Sequence, residues 1–376
     1  MILSRPDEVL DMLPPRNVSG HHEGTVIRYE KYSTAGNTFL VVDESDTPLV
    51  NDAARSEFSC WALDGGFGVG GADNVLFIAE TPRPGTYTFR IFEHDGAETL
   101  SCGNGLLAAG HLIAQRHGRT AWTMLTELPS GRPRPVRGGL VAGTDRVTVR
   151  IAGPRQVPER FWRPRGPVAP PTGGDPGPAE VTLPVSLPSG EDETGKSTVV
   201  DRDGPGTERD PALRGFLVFT GEPHLVLVLG HGADEQLAPA LFPPRRTERS
   251  LALMDALGRQ INERHRAVFP HGIHVNVAQI HDGCLRFRTW ERAIDKETLA
   301  CGTGALACVH VCAARGLLPE PTTVLWPHHA RWHRPDTELR VTRESDGALV
   351  LQGAPVRIYA GTVPAGQLPQ REDHTR

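Results

Sequence analysis

The sequence predicts a mixed α/β protein, of the α+β kind, in which two strand-rich halves with pseudo-two-fold symmetry each wrap around one central helix. Short segments with alternating apolar and polar residues recur along most of the chain, as expected of half-buried strands. Residues 101–110 and 300–309 are near copies of each other. Each copy follows predicted strands, carries a cysteine at the start of an apolar helix, and leads into further strands. We therefore expect the active site between the halves, where the two helix starts converge.

Changes in composition divide the chain into five parts. Residues 1–21 form a loose polar tail, residues 22–152 the N-terminal half with the Cys102 helix, and residues 215–350 the C-terminal half with the Cys301 helix. Residues 153–214 are dominated by proline, glycine, acidic residues and serine, which indicates a linker or a large surface insertion, much of it disordered. Residues 351–376 are predicted to form a closing strand and a tail.

The alternation pattern and the glycine positions predict the elements of each half. The first half is predicted to have strands near residues 26–29, 39–42, 74–79, 86–92 and 146–152, and a helix after Cys102 that glycine ends near 117–118. The second half is predicted to have strands near residues 216–219, 225–229, 273–280, 285–290, 338–343, 348–352 and 355–362, with helices at 248–265 and from Cys301 to about 316.

Composition excludes several classes of function. The formal net charge is −5 and the basic residues are scattered, which argues against a nucleic-acid partner. No apolar run reaches the length of a membrane span, and the first residues lack the pattern of a signal peptide, so we expect a soluble, cytoplasmic protein without a membrane partner. None of the six cysteines forms a Cys-x-x-Cys pair, and no metal site is expected.

The two repeated cysteines stand where a helix begins. The first turn of a helix offers unsatisfied N–H groups and positive partial charge. A thiol there ionises more easily, and a carboxylate there is held without a cationic side chain. Two such helix starts facing each other would place a thiol on either side of a carboxylate-bearing carbon. That arrangement is the one needed to move a proton across a stereocentre.

Six short motifs, in order and at roughly the right separation, resemble those of the diaminopimelate epimerase family. They are Gly-Asn-Thr-Phe at 36–39, the glycine-rich turn and aspartate at 67–73, Cys-Gly-Asn-Gly at 102–105, Gly-Glu-Pro-His at 221–224, Trp-Glu-Arg at 290–292 and Ala-Cys-Gly-Thr-Gly at 300–304. The similar region covers roughly residues 25–152 and 215–362. Asparagine at 104 separates the chain from the related proline racemases, which place histidine there.

The resemblance implies racemisation or epimerisation of a small-molecule amino acid without a cofactor. One thiolate of the Cys102 and Cys301 pair would remove the α-proton, and the opposite thiol would deliver one to the other face. Further substrate contacts are implied for the amides of residues 103, 104, 302 and 303 and for three side chains. In sequence order, these residues are Asn37, Gly103, Asn104, Glu291, Arg292, Gly302 and Thr303. In the family, the arginine grips the distal carboxylate of diaminopimelate. The resemblance also leaves a homodimer open.

Four substrate positions depart from the family pattern. The chain has Asn74 for a glutamine, and Glu93, Glu222 and His274 for three asparagines. Two new carboxylates should repel a distal carboxylate and attract a cation. We therefore expect a substrate with a cationic or strongly hydrogen-bonding side chain rather than diaminopimelate. Arg292 argues the other way, since it either holds a carboxylate or pairs with one of the new glutamates.

Other interpretations of these residues remain open. Cys60, Cys284, Cys308 and Cys312 are expected to be structural, and His224 to be a hydrogen-bonded structural histidine. The adjacent histidines at 21–22 and 328–329 are expected to be solvated rather than metal ligands. Three rival functions are a genuine diaminopimelate epimerase with altered distal contacts, a non-catalytic amino-acid-binding protein on the same fold, and a thiol redox protein.

Overall fold

The computed structural model describes residues 26–45, 49, 51–128, 133–163, 177–185, 212–230, 237–244, 247–292, 294–327 and 337–365. The predicted loose tail at 1–21 and the histidine pairs at 21–22 and 328–329 lie outside these residues. The described residues fall into two compact units. The first contains those up to Ile151, together with Thr337 and those from Val350 onward, and the second contains the rest.

The first unit is a twisted sheet around one helix. Its strands are β1 (Val26–Thr34), β2 (Asn37–Asp43), β3 (Asn74–Glu80), β4 (Thr86–Phe92), β5 (Glu98–Thr99), β6 (Ala121–Thr126), β7 (Arg134–Leu140) and β8 (Val147–Ile151), and its helices are α1 (Asp52–Leu63) and α2 (Gly103–His117). The C-terminal strands β17 (Leu349–Gly353) and β18 (Val356–Pro364) complete it. Strand β18 runs antiparallel to β1 from Val26 to Ser33, and β17 pairs with β8.

Helix α2 is the core of the first unit. Every residue from Gly103 to Ala114 is buried, because the sheet curves around it. Gly110 permits this close packing, since a Cβ there would lie 2.6 Å from Cζ2 of Trp122. The helix ends at Gly118, whose φ of 63° is the left-handed conformation that glycine adopts at low cost.

The second unit repeats the same plan. Its strands are β9 (Ala179–Pro184), β10 (Ala212–Phe219), β11 (Pro223–Leu229), β12 (His274–His281), β13 (Cys284–Glu291), β14 (Lys296–Thr298), β15 (Thr322–Pro327) and β16 (Leu339–Arg343). Its helices are α3 (Leu237–Leu241), α4 (Glu248–Arg264) and α5 (Gly302–Ala314). Helix α5 is the buried counterpart of α2, and α4 begins with a capping box in which Thr247 and Ser250 bond to each other's backbone.

The strand pairing shows which positions of the two units correspond. In the first unit, β2 pairs with β3 in parallel, and β3 with β4 antiparallel; β11, β12 and β13 pair in the same two ways in the second. The register aligns Phe39 with Asn74 and His224 with His274. The pseudo-equivalent positions are therefore Asn37 and Glu222, Asn74 and His274, Glu93 and Glu291, and Cys102 and Cys301.

The predicted fold class, two strand-rich halves around central helices, is confirmed. The helix predicted at 248–265 is α4, and the helix after Cys102 ends where predicted. Helix α1 was not predicted. Part of the segment expected to be a linker or insertion, 153–214, is ordered sheet, because β9 pairs with β10 and Arg155 forms a bridge with Phe219. Among the described residues, no helix is both long and apolar enough to cross a membrane.

Candidate active site

The two repeated cysteines adopt the same local geometry. Cys102 is the N-cap of α2 with φ −140° and ψ 117°, and Cys301 is the N-cap of α5 with φ −129° and ψ 118°. Each sulfur accepts a hydrogen bond of 3.4 Å from the backbone N–H three residues later, in Gly105 and Gly304. Cysteine thus takes the capping position that serine, threonine or aspartate usually fills, and both sulfurs lie in the positive field of a helix start.

In the first unit, the capping turn of α2 is joined to the start of β2. Asn104 is fully buried, and its Nδ2 donates to Oδ1 of Asn37 at 2.7 Å. Oδ1 of Asn104 is buried and has no hydrogen-bond partner. Gly36, with φ 99°, turns the chain so that Asn37 enters the strand at this point. The structure therefore brings two predicted substrate residues, Asn37 and Asn104, into contact.

Two further predicted residues of the first unit also meet. Asn74 donates from Nδ2 to Oε2 of Glu93 at 2.7 Å, across neighbouring strands. Asp73, which directly precedes β3, accepts hydrogen bonds from the backbone N–H and the hydroxyl of Thr38 in β2, at 2.8 and 3.1 Å. Glu93 is half-buried, and its carboxylate accepts this hydrogen bond from Asn74.

In the second unit, the buried carboxylate of Glu222 forms an ion pair with the half-buried Arg292. Nη2 of Arg292 lies 2.9 Å from Oε2 of Glu222, and Glu222 is 3% exposed. Nη1 of Arg292 donates to the carbonyl of His271 at 2.8 Å, and the guanidinium lies 5.2 Å from the ring centre of Phe161. The sequence left open whether Arg292 holds a substrate carboxylate or pairs with one of the new glutamates. The structure shows it paired with Glu222.

His274 lies between two carboxylates. Its Nε2 is 3.8 Å from Oε2 of Glu222, and its Nδ1 is 3.9 Å from Oε2 of Glu291. Both distances are longer than a hydrogen bond. His274 is 5% exposed, and its Nδ1 is buried without a hydrogen-bond partner. Glu291 accepts from the hydroxyl of Thr298 at 2.5 Å.

A polar network behind these side chains was not predicted from the sequence. His224 stacks on His274, with ring centres 5.0 Å apart. Nδ1 of His224 accepts a hydrogen bond from Nδ2 of Asn276 at 3.0 Å. Oδ1 of Asn276 accepts from Thr289 at 3.0 Å. The signal was present, since Asn276 is a polar residue in an otherwise apolar stretch of β12. The structural, hydrogen-bonded role expected for His224 agrees with this network.

Burial and neighbouring charge set the ionisation of the second unit's cluster. Burial by itself would raise the pKa of Glu222, but His274 and Arg292 outweigh it and lower that pKa to about 2. Burial lowers the pKa of His274, and lowers that of His224 further. At neutral pH, Glu222 is therefore a carboxylate whose cationic partner is Arg292, and the two imidazoles are neutral.

The remaining predicted residues lie at the turn that carries Cys301. Gly302 and Thr303 are buried at the first turn of α5, and the carbonyl of Thr303 accepts from Thr220 at 2.8 Å. Gly103 occupies the matching position in α2. Cys308 and Cys312 are fully buried within α5, and burial raises the pKa of both thiols, that of Cys312 to about 12. Their expected structural role agrees with this burial.

Comparison with known proteins shows which proteins the chain is similar to. Residues 29–134 match the family model described as diaminopimelate epimerase. The diaminopimelate epimerase of Methanothrix thermoacetophila is 26% identical over 306 residues, covering 80% of this chain and 85% of that protein. The one from Ralstonia pickettii is 29% identical over 356 residues, covering 93% and 99%. The chain is thus similar to diaminopimelate epimerases over most of its length, at 26–29% identity in these two cases.

Solved structures share the fold of this chain at low sequence identity. A hydroxyproline epimerase from Agrobacterium vitis superposes with a TM-score of 0.57 at 14% identity, covering 91% of this chain and 94% of that one. A phenazine biosynthesis protein of the PhzF family from Enterococcus faecalis gives 0.53 at 12% identity, covering 90% and 99%. The likeness extends over both units, so the two-unit architecture is that of a known fold.

Proposed function

We propose that this chain is an amino-acid racemase or epimerase that works without a cofactor and uses Cys102 and Cys301 as its acid/base pair. The observation that carries the proposal is the matched capping geometry of the two cysteines, each a helix N-cap whose sulfur accepts the N–H three residues later at 3.4 Å. A capping site fixes the direction of the sulfur, and the helix start favours its thiolate form.

The proposed reaction is a proton transfer in two steps. The thiolate of one cysteine takes the α-proton, so the Cα–H bond breaks, an S–H bond forms, and the electron pair remains on Cα and its carboxylate. The thiol of the other cysteine then gives its proton to the opposite face of Cα and becomes the thiolate. The enzyme is left with the two protonation states exchanged, which is the form that catalyses the reverse direction.

The carbanion needs electrostatic stabilisation because an amino-acid α-proton is a very weak acid. Backbone N–H groups at residues 103, 104, 302 and 303 belong to helix first turns, where no intrahelical acceptor is available. Donors of this kind, aimed at developing negative charge, are each worth about 3 kcal/mol of barrier in other enzymes. Asn37, tied to the α2 turn through Asn104, is proposed as a further contact to the substrate.

Solvent-deuterium incorporation at Cα tests the proposal. Wild-type protein in D₂O is expected to exchange the α-proton of its amino-acid substrate and to interconvert the two stereoisomers. Cys102→Ser and Cys301→Ser should each lower the rate of racemisation about a hundredfold or more, since each removes one acid/base group. Cys284→Ser, at a half-buried position of β13, is the matched control and should keep the activity. Full activity in both active-site variants would refute the two-thiol mechanism.

The same measurement separates the rival functions. Exchange with diaminopimelate at a rate equal to that with the best other amino acid would support a genuine diaminopimelate epimerase. The ion pair between Glu222 and Arg292 favours a different substrate, because it already supplies Arg292 with a carboxylate. Binding of an amino acid without any exchange at Cα would instead support a non-catalytic binding protein.

A further inference from the structure

An arginine–glutamate pair occurs at the same place in both units. In the first unit, Nε and Nη2 of Arg90 donate to the two carboxylate oxygens of Glu98, both at 2.7 Å. In the second unit, Nε and Nη2 of Arg288 donate to the two oxygens of Glu297, both at 2.6 Å. Two parallel charge-assisted hydrogen bonds fix the orientation of the paired side chains as well as their distance.

The strand register shows that the two pairs are pseudo-equivalent. Glu98 of β5 lies opposite Phe92 of β4, and Glu297 of β14 lies opposite Trp290 of β13. In each unit the arginine comes two residues before that opposite residue, so the pair crosses the hairpin diagonally. The arginine and the glutamate are eight residues apart in the first unit and nine in the second. The second hairpin is thus one residue longer, and yet the same pair forms.

Each arginine also binds the start of a helix. Nη1 of Arg90 donates to the carboxylate of Asp52, the first residue of α1, at 2.5 Å. Nη2 of Arg288 donates to the carbonyl of Ser250 in the first turn of α4 at 2.9 Å, and its Nη1 to the carbonyl of Leu241 at 2.7 Å. In chain order, α1 and α4 each stand between the two parallel strands of their unit. Each guanidinium therefore joins its own strand, the start of this helix and the glutamate-bearing strand.

The glutamate of each pair stands four residues before a cysteine. Glu98 precedes Cys102 by the same interval as Glu297 precedes Cys301. The strands that carry these glutamates have only two and three residues, so backbone pairing alone gives this segment few hydrogen bonds. The side chains of both pairs are at most 15% exposed, so solvent ions screen the attraction little. The pair is thus a fixed point just ahead of each cysteine turn.

Placement explains these pairs better than stability does. Desolvation of two buried charges offsets much of their attraction, so a buried ion pair is a weak source of stability. A bidentate pair does, however, fix a position closely. An acid/base group needs such a position, because a displacement of about 1 Å can cost about a hundredfold in rate.

We propose that Arg90 and Arg288 are positioning residues, each of which fixes the cysteine turn of its own unit through the glutamate four residues before that cysteine. The inference rests on the proposed function, since the role of the pairs is to place the two thiols. The arginines act through the turn and not by contact with the substrate.

Arg90→Lys and Arg288→Lys test this role. Lysine keeps the positive charge but lacks the planar fork, so the bidentate geometry is lost while the charge of the site is unchanged. Each variant is expected to lower kcat about tenfold or more, because one thiol is displaced. KM should change by less than about threefold, since the interaction lost is not one with bound substrate.

Alkylation by iodoacetamide at a series of pH values shows which turn has moved. Mass spectrometry follows each cysteine peptide, and the pH midpoint is compared rather than the rate, because Cys301 is more buried than Cys102. In Arg90→Lys, the midpoint of Cys102 should rise by about half a pH unit as its sulfur leaves the field of the helix start, and that of Cys301 should not change. Arg288→Lys should have the reverse effect. A general loss of stability would not move one midpoint selectively.

The chain offers a matched control. Arg214 and Glu180 form another diagonal pair across neighbouring strands, at 2.9 Å, but both side chains are exposed. Arg214→Lys should therefore leave kcat and both midpoints as in the wild type. The thiol of Cys308 is fully buried, so its alkylation reports unfolding of the second unit.

A further variant covers the case in which Arg288→Lys does not fold. Glu98→Asp keeps the charge of the first pair but draws the carboxylate back by one methylene. It should shift the midpoint of Cys102 in the same direction as Arg90→Lys. These two variants at the less buried first pair then decide.

Wild-type kcat and midpoints in the folded arginine variants would overturn the inference. An equal shift of both cysteines in either variant, or the same changes in Arg214→Lys, would overturn it as well. Failure of the proposed function is distinguishable, because it would appear as wild-type protein without deuterium exchange at Cα. The alkylation midpoints would still show whether the pairs place the two thiols.

Discussion

Gly304 lies directly against the side chain of Asn276. A Cβ at position 304 would stand 2.3 Å from Oδ1 of Asn276, which is closer than real Cβ atoms approach any atom. Asn276 is fully buried and cannot retreat, since it also bonds to His224 and Thr289. The first turn of α5, which carries Cys301, therefore packs directly on β12, and this close contact requires glycine at position 304.

Gly304→Ala is expected to displace this turn. Overpacking of a buried contact usually costs about 1–3 kcal/mol, more than alanine gains over glycine in a helix. The free energy of unfolding, measured by denaturant titration, should fall, and racemase activity should fall with it because Cys301 moves. Gly105→Ala is the control at the equivalent position, where the nearest atoms to the added Cβ are those of the Leu76 side chain at 3.3 Å and Cβ of Cys102 at 3.4 Å. Equal effects at the two sites would contradict this interpretation.

Asn104→Ala is expected to damage the first half of the site. It removes the donor to Asn37 and leaves a buried oxygen unpaired, which costs about 1–3 kcal/mol. Asn37 would lose its fixed orientation, so kcat/KM should fall by more than the loss of stability explains at temperatures where the variant is fully folded. Asn104→Asp keeps the shape but places two oxygens face to face, and it should be at least as damaging. Normal kinetics in both variants would exclude a positioning role.

Stability is expected to fall on mild acidification. Burial lowers the pKa of His224 and His274, so below about pH 6.5 the unfolded chain takes up protons that the folded chain does not. Each such group contributes a slope of up to about 1.4 kcal/mol per pH unit. The lowered pKa of Glu222 adds to the loss only below about pH 4.5.

Urea unfolding between pH 7.5 and 5 checks this dependence. His224→Gln should reduce the slope below pH 6.5 by about one proton, because one buried imidazole no longer titrates in the unfolded state. His281→Gln, at an exposed position near the end of β12, is the control and should leave the slope unchanged. A wild-type stability that stays constant across this range would contradict the expectation.

Removal of the C-terminal strand is expected to unfold the first unit. Strand β18 pairs with β1 from Val26 to Ser33, so β1 would lose one of its two neighbours. A chain that ends after Pro355 should lose hydrogen-exchange protection in β1 and β2, whereas a chain that ends after Ala365 should keep it. Protection that survives the shorter truncation would show that β18 is dispensable.

Local sequence determined the parts of the fold that depend on neighbouring residues. The helix after Cys102 and its end at Gly118 follow from a capping residue, apolar spacing and a glycine with positive φ. The strand β9 was missed because its six residues are flanked by prolines and owe their structure to pairing with β10, about thirty residues away. Helix α1 was missed because its residues lie between stronger strand and glycine signals.

The sequence by itself also determined the residue types of the site and the duplication of the cysteine turn, because both can be recognised in short contiguous motifs. Only the tertiary structure decided how those residues pair. Glu222 and Arg292 are 70 residues apart, and nothing local shows that one neutralises the other. Asn74 bonds directly to Glu93, whereas Nδ1 of His274 lies 3.9 Å from Oε2 of Glu291, although the two pairs occupy the same strand register. That difference, too, is visible only in the packed structure. Charge and hydrogen-bond capacity belong to the residue, whereas the partner that satisfies them is set by packing.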